Sequence, residues 1–264
     1  MAQRQYEKTD QLTHILKRPD TYVGATKNQK LTNQYLGHVK DQDLSLVFNE
    51  YVRASPALIR IFIEILSNAL DNIWRSEEDK VKMSKIKVDI NEDEISVYND
   101  GSWIPIEIHE KEKLYIPEMI FGELLTSSNY DDDQERYGSG RNGLGCKLTN
   151  VFSTSFSIEV IAPTKEGEFK VFRQSWSNNM REKTKPRITK RKSAIPSTKV
   201  TWTADFPRFN CTKYSDAILG LYTRYIFDSA MIAGTKGVSV YYNGKKLPIL
   251  RMPISGERIR NQNP

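Results

Sequence analysis

Between residues 55 and 73 hydrophobic positions recur at the three-to-four-residue spacing of a helix. Leu58, Ile59, Phe62, Ile65, Leu66, Ala69 and Ile73 fill one broad arc. At about 100° per residue, Glu64, Asn68, Asp71 and Asn72 fall together on the other side. Ser55 followed by Pro56 supplies an N-cap and a first helical residue. A helix this apolar is buried on most sides. Its polar stripe therefore either closes an internal hydrogen-bond network or faces a cavity, a metal or a partner.

The same reading predicts a short helix over residues 10–17, ended by Arg18-Pro19-Asp20, and then a polar connector to Glu50. Residues 86–90 and 94–98 alternate apolar and polar around a turn at 91–93, a hairpin that stops at Asn99-Asp100-Gly101. A short helix is expected over 117–125 and another over 146–152. Between them, residues 126–145 form a long polar, glycine-containing loop of the kind used as lids. Strands follow at 155–162, 169–176 and 199–203, and a helix at 214–231. The last element is a hairpin of 238–242 with 246–250 around Asn243-Gly244. Hairpins mixed with helices, without strict βαβ alternation, predict an α/β two-layer sandwich. It has a mixed, mostly antiparallel sheet and helices on one face. From residue 251 the chain reads as a linker.

Composition adds limits. With 38% hydrophobic and 27% charged residues the chain reads as globular. No apolar run approaches the roughly 20 residues of a membrane span, and no signal-peptide core precedes the first helix. Two cysteines and three histidines offer neither a disulfide framework nor zinc spacing, and point to a reducing intracellular compartment. The net charge of +6 is compatible with nucleic acid nearby. The one dense basic cluster, residues 183–192, reads as a solvated loop between strands, with a phosphate-binding loop or import signal as the alternative.

Two glycine patterns are decoys. Gly138-x-Gly140-x-x-Gly143 follows an acidic loop rather than a strand, so it lacks the context of a dinucleotide fingerprint. Gly140 to Lys147 misses a P-loop, because Cys146 separates Gly145 from Lys147 and no Ser or Thr follows. A third arrangement accounts for all the pieces. Gly140, Gly143 and Gly145 precede a helix start, where free N–H groups attract anions, and Lys147 adds a cation. Ser127, Ser128 and Asn129 add donors at the other end of the same loop. With Glu64 as general base and the Asn68 carbonyl on Mg²⁺, this forms a nucleotide site without a P-loop. Cys146 reads as a packing residue, a reactive thiol being the minor alternative.

The resemblance is then specific. Glu64-x-x-x-Asn68-Ala-Leu-Asp-Asn72, Asn99-Asp100-Gly101-Ser-Trp-Ile104-Pro105, the stretch from Tyr115 through Asp133, the run Gly140–Lys147 and the segment Gln11–Gly24 resemble one family. It is the N-terminal ATPase domain of eukaryotic-type DNA topoisomerases II, within the gyrase/chaperone/histidine kinase/MutL superfamily (Bergerat fold). The resemblance covers about residues 5–250 and implies one ATPase domain over 1–250. An N-terminal strap lies within about 1–25, an ATP lid at about 122–147, and a linker at 251–264. It implies ATP and Mg²⁺ as cofactors, Glu64 as catalytic base and Asn68 as metal ligand. Asn72 is implied on the phosphate side and Asn99 at the adenine amino group, with Ser127, Ser128 and Asn129 at ribose and phosphates. Gly140, Arg141, Asn142, Gly143, Leu144, Gly145, Cys146 and Lys147 are implied around the triphosphate, and Tyr6 at a partner's nucleotide.

The family further implies an ATP-dependent homodimer, double-stranded DNA as partner of the full-length protein, nuclear localisation and no membrane. The departures are Trp103 for a glycine of the second motif, Ser139 for a lid glycine, and Leu144 where the family often has tyrosine. The switch lysine and the DNA-cleavage core are expected elsewhere in the full polypeptide, so weak turnover is expected of this segment alone. The alternatives are a chaperone- or MutL-like ATPase of the same superfamily, or a non-enzymatic basic nucleic-acid-binding module.

Overall fold

The structure is a computed structural model and describes residues 9–40, 43–124 and 144–248. Two short helices open it, α1 (Gln11–Lys17) and α2 (Pro19–Tyr22). The Asp10 carboxylate caps α1 by accepting from Thr13 N at 2.9 Å. Next comes a long antiparallel ribbon of β1 (Gln29–Lys40) and β2 (Asp43–Ala54). This ribbon corrects the expected polar connector. Its outer side leaves Tyr35, Phe48 and Tyr51 exposed, and Asn33 sits at φ 54°, which interrupts the alternation that announces a strand.

The central helix α3 (Pro56–Glu78) begins where its cap predicts: Ser55 Oγ accepts from Leu58 N at 3.3 Å and donates to Ala25 O at 3.1 Å. β3 (Lys85–Ile90) and β4 (Glu94–Asp100) make the expected hairpin, with β4 running two residues further than the turn sequence suggested. α4 (Ile116–Gly122) and α5 (Gly145–Val151) flank the segment read as the lid, whose residues 125–143 lie outside the described ones.

β5 (Ser153–Pro163) and β6 (Phe169–Ser177) follow, then β7 (Glu182–Lys183), β8 (Arg187–Arg191) and β9 (Ser197–Ala204). The basic cluster is therefore no simple loop. Five of its residues form β8, antiparallel to β6. Edge strands are commonly charged, and that charge hides the strand from a hydrophobicity pattern. α6 (Asp216–Thr235) is capped by Ser215, which accepts from Ile218 N at 3.3 Å. β10 (Ser239–Tyr242) and β11 (Lys245–Lys246) close the chain around Asn243 and Gly244, both at positive φ as a type I′ turn demands.

The main sheet runs β11-β10-β3-β4-β9-β5-β6-β7, with β8 also on β6. All pairings are antiparallel except β10 with β3. This is the expected two-layer α/β sandwich. Ile86, Val97, Trp202, Phe156 and Phe172 point into the helical layer, where Phe62 of α3 stacks on Tyr222 of α6 with ring centroids 4.1 Å apart.

The ribbon packs across α6 through two glycines. A Cβ on Gly37 would stand 2.6 Å from Arg224 N, and one on Gly220 would stand 2.9 Å from Leu36 Cβ. Backbone cannot yield as a side-chain tip can. Gly37→Ala is accordingly expected to cost about 1–3 kcal/mol and lower the melting temperature by several degrees, as calorimetry would register; an unchanged midpoint would contradict the close crossing.

Candidate functional site

Glu64 stands at the middle of α3, half-buried, one turn after Arg60, with which it forms an ion pair. Burial raises its carboxyl above the usual carboxylate range; the Arg60 guanidinium opposes that shift and Asp71 adds to it. The carboxylate lies against Gly145, the first residue of α5. A Cβ there would fall 2.8 Å from Glu64 Cδ and closer still to Oε2. Glycine at this place is a steric requirement: it lets main chain approach the carboxylate.

α5 is held in that position by buried polar contacts. Thr149 Oγ1 donates to Ile61 O of α3 at 2.8 Å, and Asn150 Nδ2 donates to Phe121 O of α4 at 3.0 Å. Ser153 Oγ donates to Thr149 O at 2.6 Å. α4 is anchored in turn. Glu118, only 4% exposed, accepts from Gln174 Nε2 at 3.1 Å and pairs with Lys183 Nζ at 3.1 Å; Glu123 meets the same ammonium at 2.8 Å.

One turn beyond Glu64, Asn68 is exposed and Asp71 half-buried. Asn72 is 4% exposed, and its Nδ2 donates to Asp100 O and Ser102 O, both at 3.1 Å. Its amide donors brace the turn after β4. Asn99, at the end of β4, is 8% exposed and donates from Nδ2 to Asp100 O at 3.1 Å. Asp100 accepts from Ser84 N at 2.8 Å and Lys85 N at 2.9 Å, tying the turn to the start of β3.

Gly101 has φ +100°, and a Cβ on it would meet Met83 Cβ at 2.9 Å as well as Ser76 Oγ, so the turn needs its glycine here. Ser102 N donates to Ser76 Oγ at 2.9 Å and Ser102 Oγ to Asp79 Oδ2 at 2.6 Å. Trp103, the departure of the second motif, is 37% exposed and accommodated.

Of the lid residues expected at the triphosphate, Leu144 is half-buried against the core, Gly145 abuts Glu64, and Cys146 and Lys147 are buried. Lys147 has no exposed surface, and burial depresses its ammonium pKa against the opposing pull of Glu123. Cys146 Sγ donates to Ile120 O at 3.3 Å; burial pushes its thiol up to about 11. Tyr6, Ser127, Ser128, Asn129, Gly140, Arg141, Asn142 and Gly143 lie outside the described residues.

Sequence reasoning missed Asp100, Ser76, Thr149, Asn150 and Glu118, which brace the site without facing it. Only Asp100 had a visible signal, its place inside the turn sequence Asn99-Asp100-Gly101.

The raised Cys146 pKa removes the reactive-thiol alternative. At pH 8 iodoacetamide is expected to modify Cys146 in the folded chain about 10²-fold more slowly than in the unfolded chain, since thiolate is the nucleophile. Mass mapping of the alkylated peptides checks this, and comparable rates would contradict it.

With this geometry in view, the relatives become informative. The family model described as histidine kinase-, DNA gyrase B-, and HSP90-like ATPase matches residues 54–179, from the end of β2 to just past β6. The chain is 43% identical over 270 aligned residues to DNA topoisomerase 2 of Meyerozyma guilliermondii, covering all of the chain and 18% of that protein. It is 46% identical to DNA topoisomerase 2 of Candida glabrata, with 94% of the chain and 17% of that protein covered. The crystal structure of the ATPase region of Saccharomyces cerevisiae topoisomerase II matches with a TM-score of 0.82 at 43% identity. That match covers 92% of the chain and 62% of the crystallised one. The chain thus spans less than a fifth of the curated relatives it matches. It belongs to the histidine kinase, gyrase B and HSP90-like ATPase family and, within it, is homologous to the ATPase region of eukaryotic DNA topoisomerase 2.

Proposed function

We propose that this chain binds and hydrolyses Mg·ATP, and that in the full-length protein hydrolysis drives the closing and opening of a dimeric gate for DNA strand passage. The observation that supports this best is the Glu64 carboxylate. It is half-buried, raised in pKa and lies against glycine main chain at the start of α5, one helical turn from the exposed amide of Asn68. A carboxylate raised by burial is a stronger base than an exposed one. Glu64 accepts the proton of the attacking water, and Arg60 keeps it charged and oriented.

Asn68 fits a hard cation through its amide oxygen. Among the described residues no cluster of three or more His, Cys, Asp or Glu could hold a metal unaided, which suits an ion carried largely by phosphates and water. Mg²⁺, when bound, neutralises phosphate charge. Asn99, at the end of β4 and oriented by Asp100, offers its carbonyl oxygen to the adenine amino group. Ser127, Ser128, Asn129 and the residues from Gly140 to Lys147 take the ribose and phosphates.

The ATPase domain spans residues 1–250, with a strap within 1–25 whose Tyr6 reaches a second copy's nucleotide, a lid at 122–147, and a linker at 251–264. The full-length partners are a second copy and double-stranded DNA, in the nucleus. No described helix is long and apolar enough to cross a membrane. A chaperone- or MutL-like role is less well supported, since the relatives named above are topoisomerases.

Glu64→Ala is expected to lose roughly 10²-fold or more in hydrolysis while retaining nucleotide; unchanged turnover in a coupled phosphate-release assay would refute the base. For Asn68→Ala, calorimetric titration is expected to show a much larger loss for Mg·ATP than for metal-free ATP, and equal losses would remove the ligand role. Because Glu64 titrates above the usual carboxylate value of 4.5, the rate is expected to fall on acidification before that pH is reached. Arg60 holds the pKa down, so Arg60→Ala should move the acid limb to higher pH. A limb unmoved or shifted downward would disconnect Glu64 from the rate.

A further inference from the structure

The main sheet has two faces, and among the described residues only one carries helices. Phe62 of α3 contacts Trp202 of β9, and Phe121 of α4 contacts Phe156 of β5, so these residues mark the covered face. Alternation places the intervening residues on the other side. There the register lines up one residue per strand in a continuous row. Lys246 opposes Tyr241, Tyr241 opposes Lys87, and Lys87 opposes Tyr98. Tyr98 opposes Lys199, Lys199 opposes Glu159, Glu159 opposes Arg173, and Arg173 opposes Arg187.

The row holds five cations, two tyrosines and one carboxylate. Lys246, Lys87, Lys199 and Arg187 are exposed; the tyrosines, Glu159 and Arg173 are half-exposed. Glu159 is neutralised within the row by Arg173, whose Nε donates to it at 2.6 Å. Lys87 Nζ lies 5.5 Å from the Tyr98 ring centroid, a cation–π contact that leaves the charge available. No ion pair of the described residues occupies Lys87, Lys199, Arg187 or Lys246.

Beside the row, Thr201, Ser157 and Ser175 add hydroxyls, and Asp89, Glu94 and the buried Asp100 are the acidic side chains flanking it on β3 and β4. Arg191, four residues beyond Arg187 on the same side of β8, extends the positive charge along the edge.

We infer that this helix-free face binds the phosphate backbone of double-stranded DNA through the row Lys87–Tyr98–Lys199–Glu159–Arg173–Arg187. Adjacent strands are about 4.8 Å apart, so six strands spread the charges over about 24 Å. A duplex presents a phosphate roughly every 3.4 Å along each strand. The row is twisted by about 20° per strand, which turns its ends apart, so a duplex meets three or four cations at once rather than all of them. The pattern carries charge and hydroxyls but no arrangement for reading bases, so recognition is independent of sequence. The inference rests on the proposed function only in choosing DNA as the polyanion.

The test is fluorescence anisotropy of a labelled 20-base-pair duplex titrated with the 264-residue chain across a salt series. Three to four phosphate contacts predict that log K falls against log salt with a slope of about −3. Lys87→Gln combined with Lys199→Gln is expected to reduce the steepness by about two and weaken binding at least tenfold at low salt. Melting temperature and ATP-analogue binding should stay at the unsubstituted level. The control is Lys170→Gln with Lys190→Gln, a cross-strand pair on the helix side of β6 and β8, which should retain duplex binding.

Equal loss in the control, or full duplex binding by the Lys87/Lys199 variant, would overturn the assignment. So would a preference for phosphatidylserine vesicles over the duplex. Failure of the unsubstituted chain to bind the ATP analogue counts against the nucleotide reading alone, because the duplex titration decides the row.

Discussion

The approach of Gly145 to the Glu64 carboxylate is the constraint around which the helical layer is arranged. A carboxylate half out of water is disfavoured in its charged form, and burial raises its pKa accordingly. Arg60 offsets part of that effect from one turn away, and a main-chain neighbour without Cβ leaves room for the carboxylate itself. The remaining packing of α5 can be understood as keeping that contact fixed. Thr149 fastens α5 to α3 and Asn150 fastens it to α4, both through buried hydrogen bonds to main-chain carbonyls. Breaking either leaves a buried carbonyl without its donor, a penalty of about 1–3 kcal/mol, so the helix start is positioned by buried groups further along α5.

The other side of the site is built by the same economy of buried polar groups. Asn72, Ser76 and Asp79 of α3 and its C-cap reach the turn after β4, while Asp100 from that turn reaches back to β3. The result is one hydrogen-bonded block joining α3 to the β3–β4 hairpin, with Asn99 at its rim. Asn72 shows how a motif residue can brace a neighbouring turn. It shares a stripe with Glu64 and Asn68, but its position one turn further on carries it under the turn, where the carbonyls of Asp100 and Ser102 claim its donors.

The parts of the fold legible in the sequence are those whose signal is local. Ser55-Pro56 announces the start of α3, Asn243-Gly244 announces the final hairpin, and the strict alternation of residues 86–90 announces β3. The ribbon of β1 and β2 was missed because its stability lies in packing across α6. Gly37 and Gly220 make that contact, and glycine carries no hydrophobic signal. β8 was missed because its partners supply the apolar half: Ile188 opposes Phe172, while Arg187, Lys190 and Arg191 read as a loop. Within the site, Glu64 and Asn68 were legible from their spacing, and Gly145 from the glycine run before a helix. The bracing residues were not, because Thr149, Asn150 and Glu118 acquire meaning only through partners distant in sequence.

The two faces of the sheet also separate two kinds of charge. Glu64 and Asn68 lie in the helical layer, whereas the cationic row lies beyond the sheet. Packed layers are about 10 Å apart, about one screening length at ordinary ionic strength. The groups that move the Glu64 pKa are local to α3, Arg60 and Asp71, and no cation of the row is among them. A polyanion on the open face acts on the base only through a screened field, which leaves contacts as the more direct coupling between the two faces. β6 offers such a route: Arg173 belongs to the row, and the next residue, Gln174, turns to the opposite side and donates to Glu118 of α4. Alternation along a single strand thus places a cation of the open face and an amide that anchors α4 on adjacent residues.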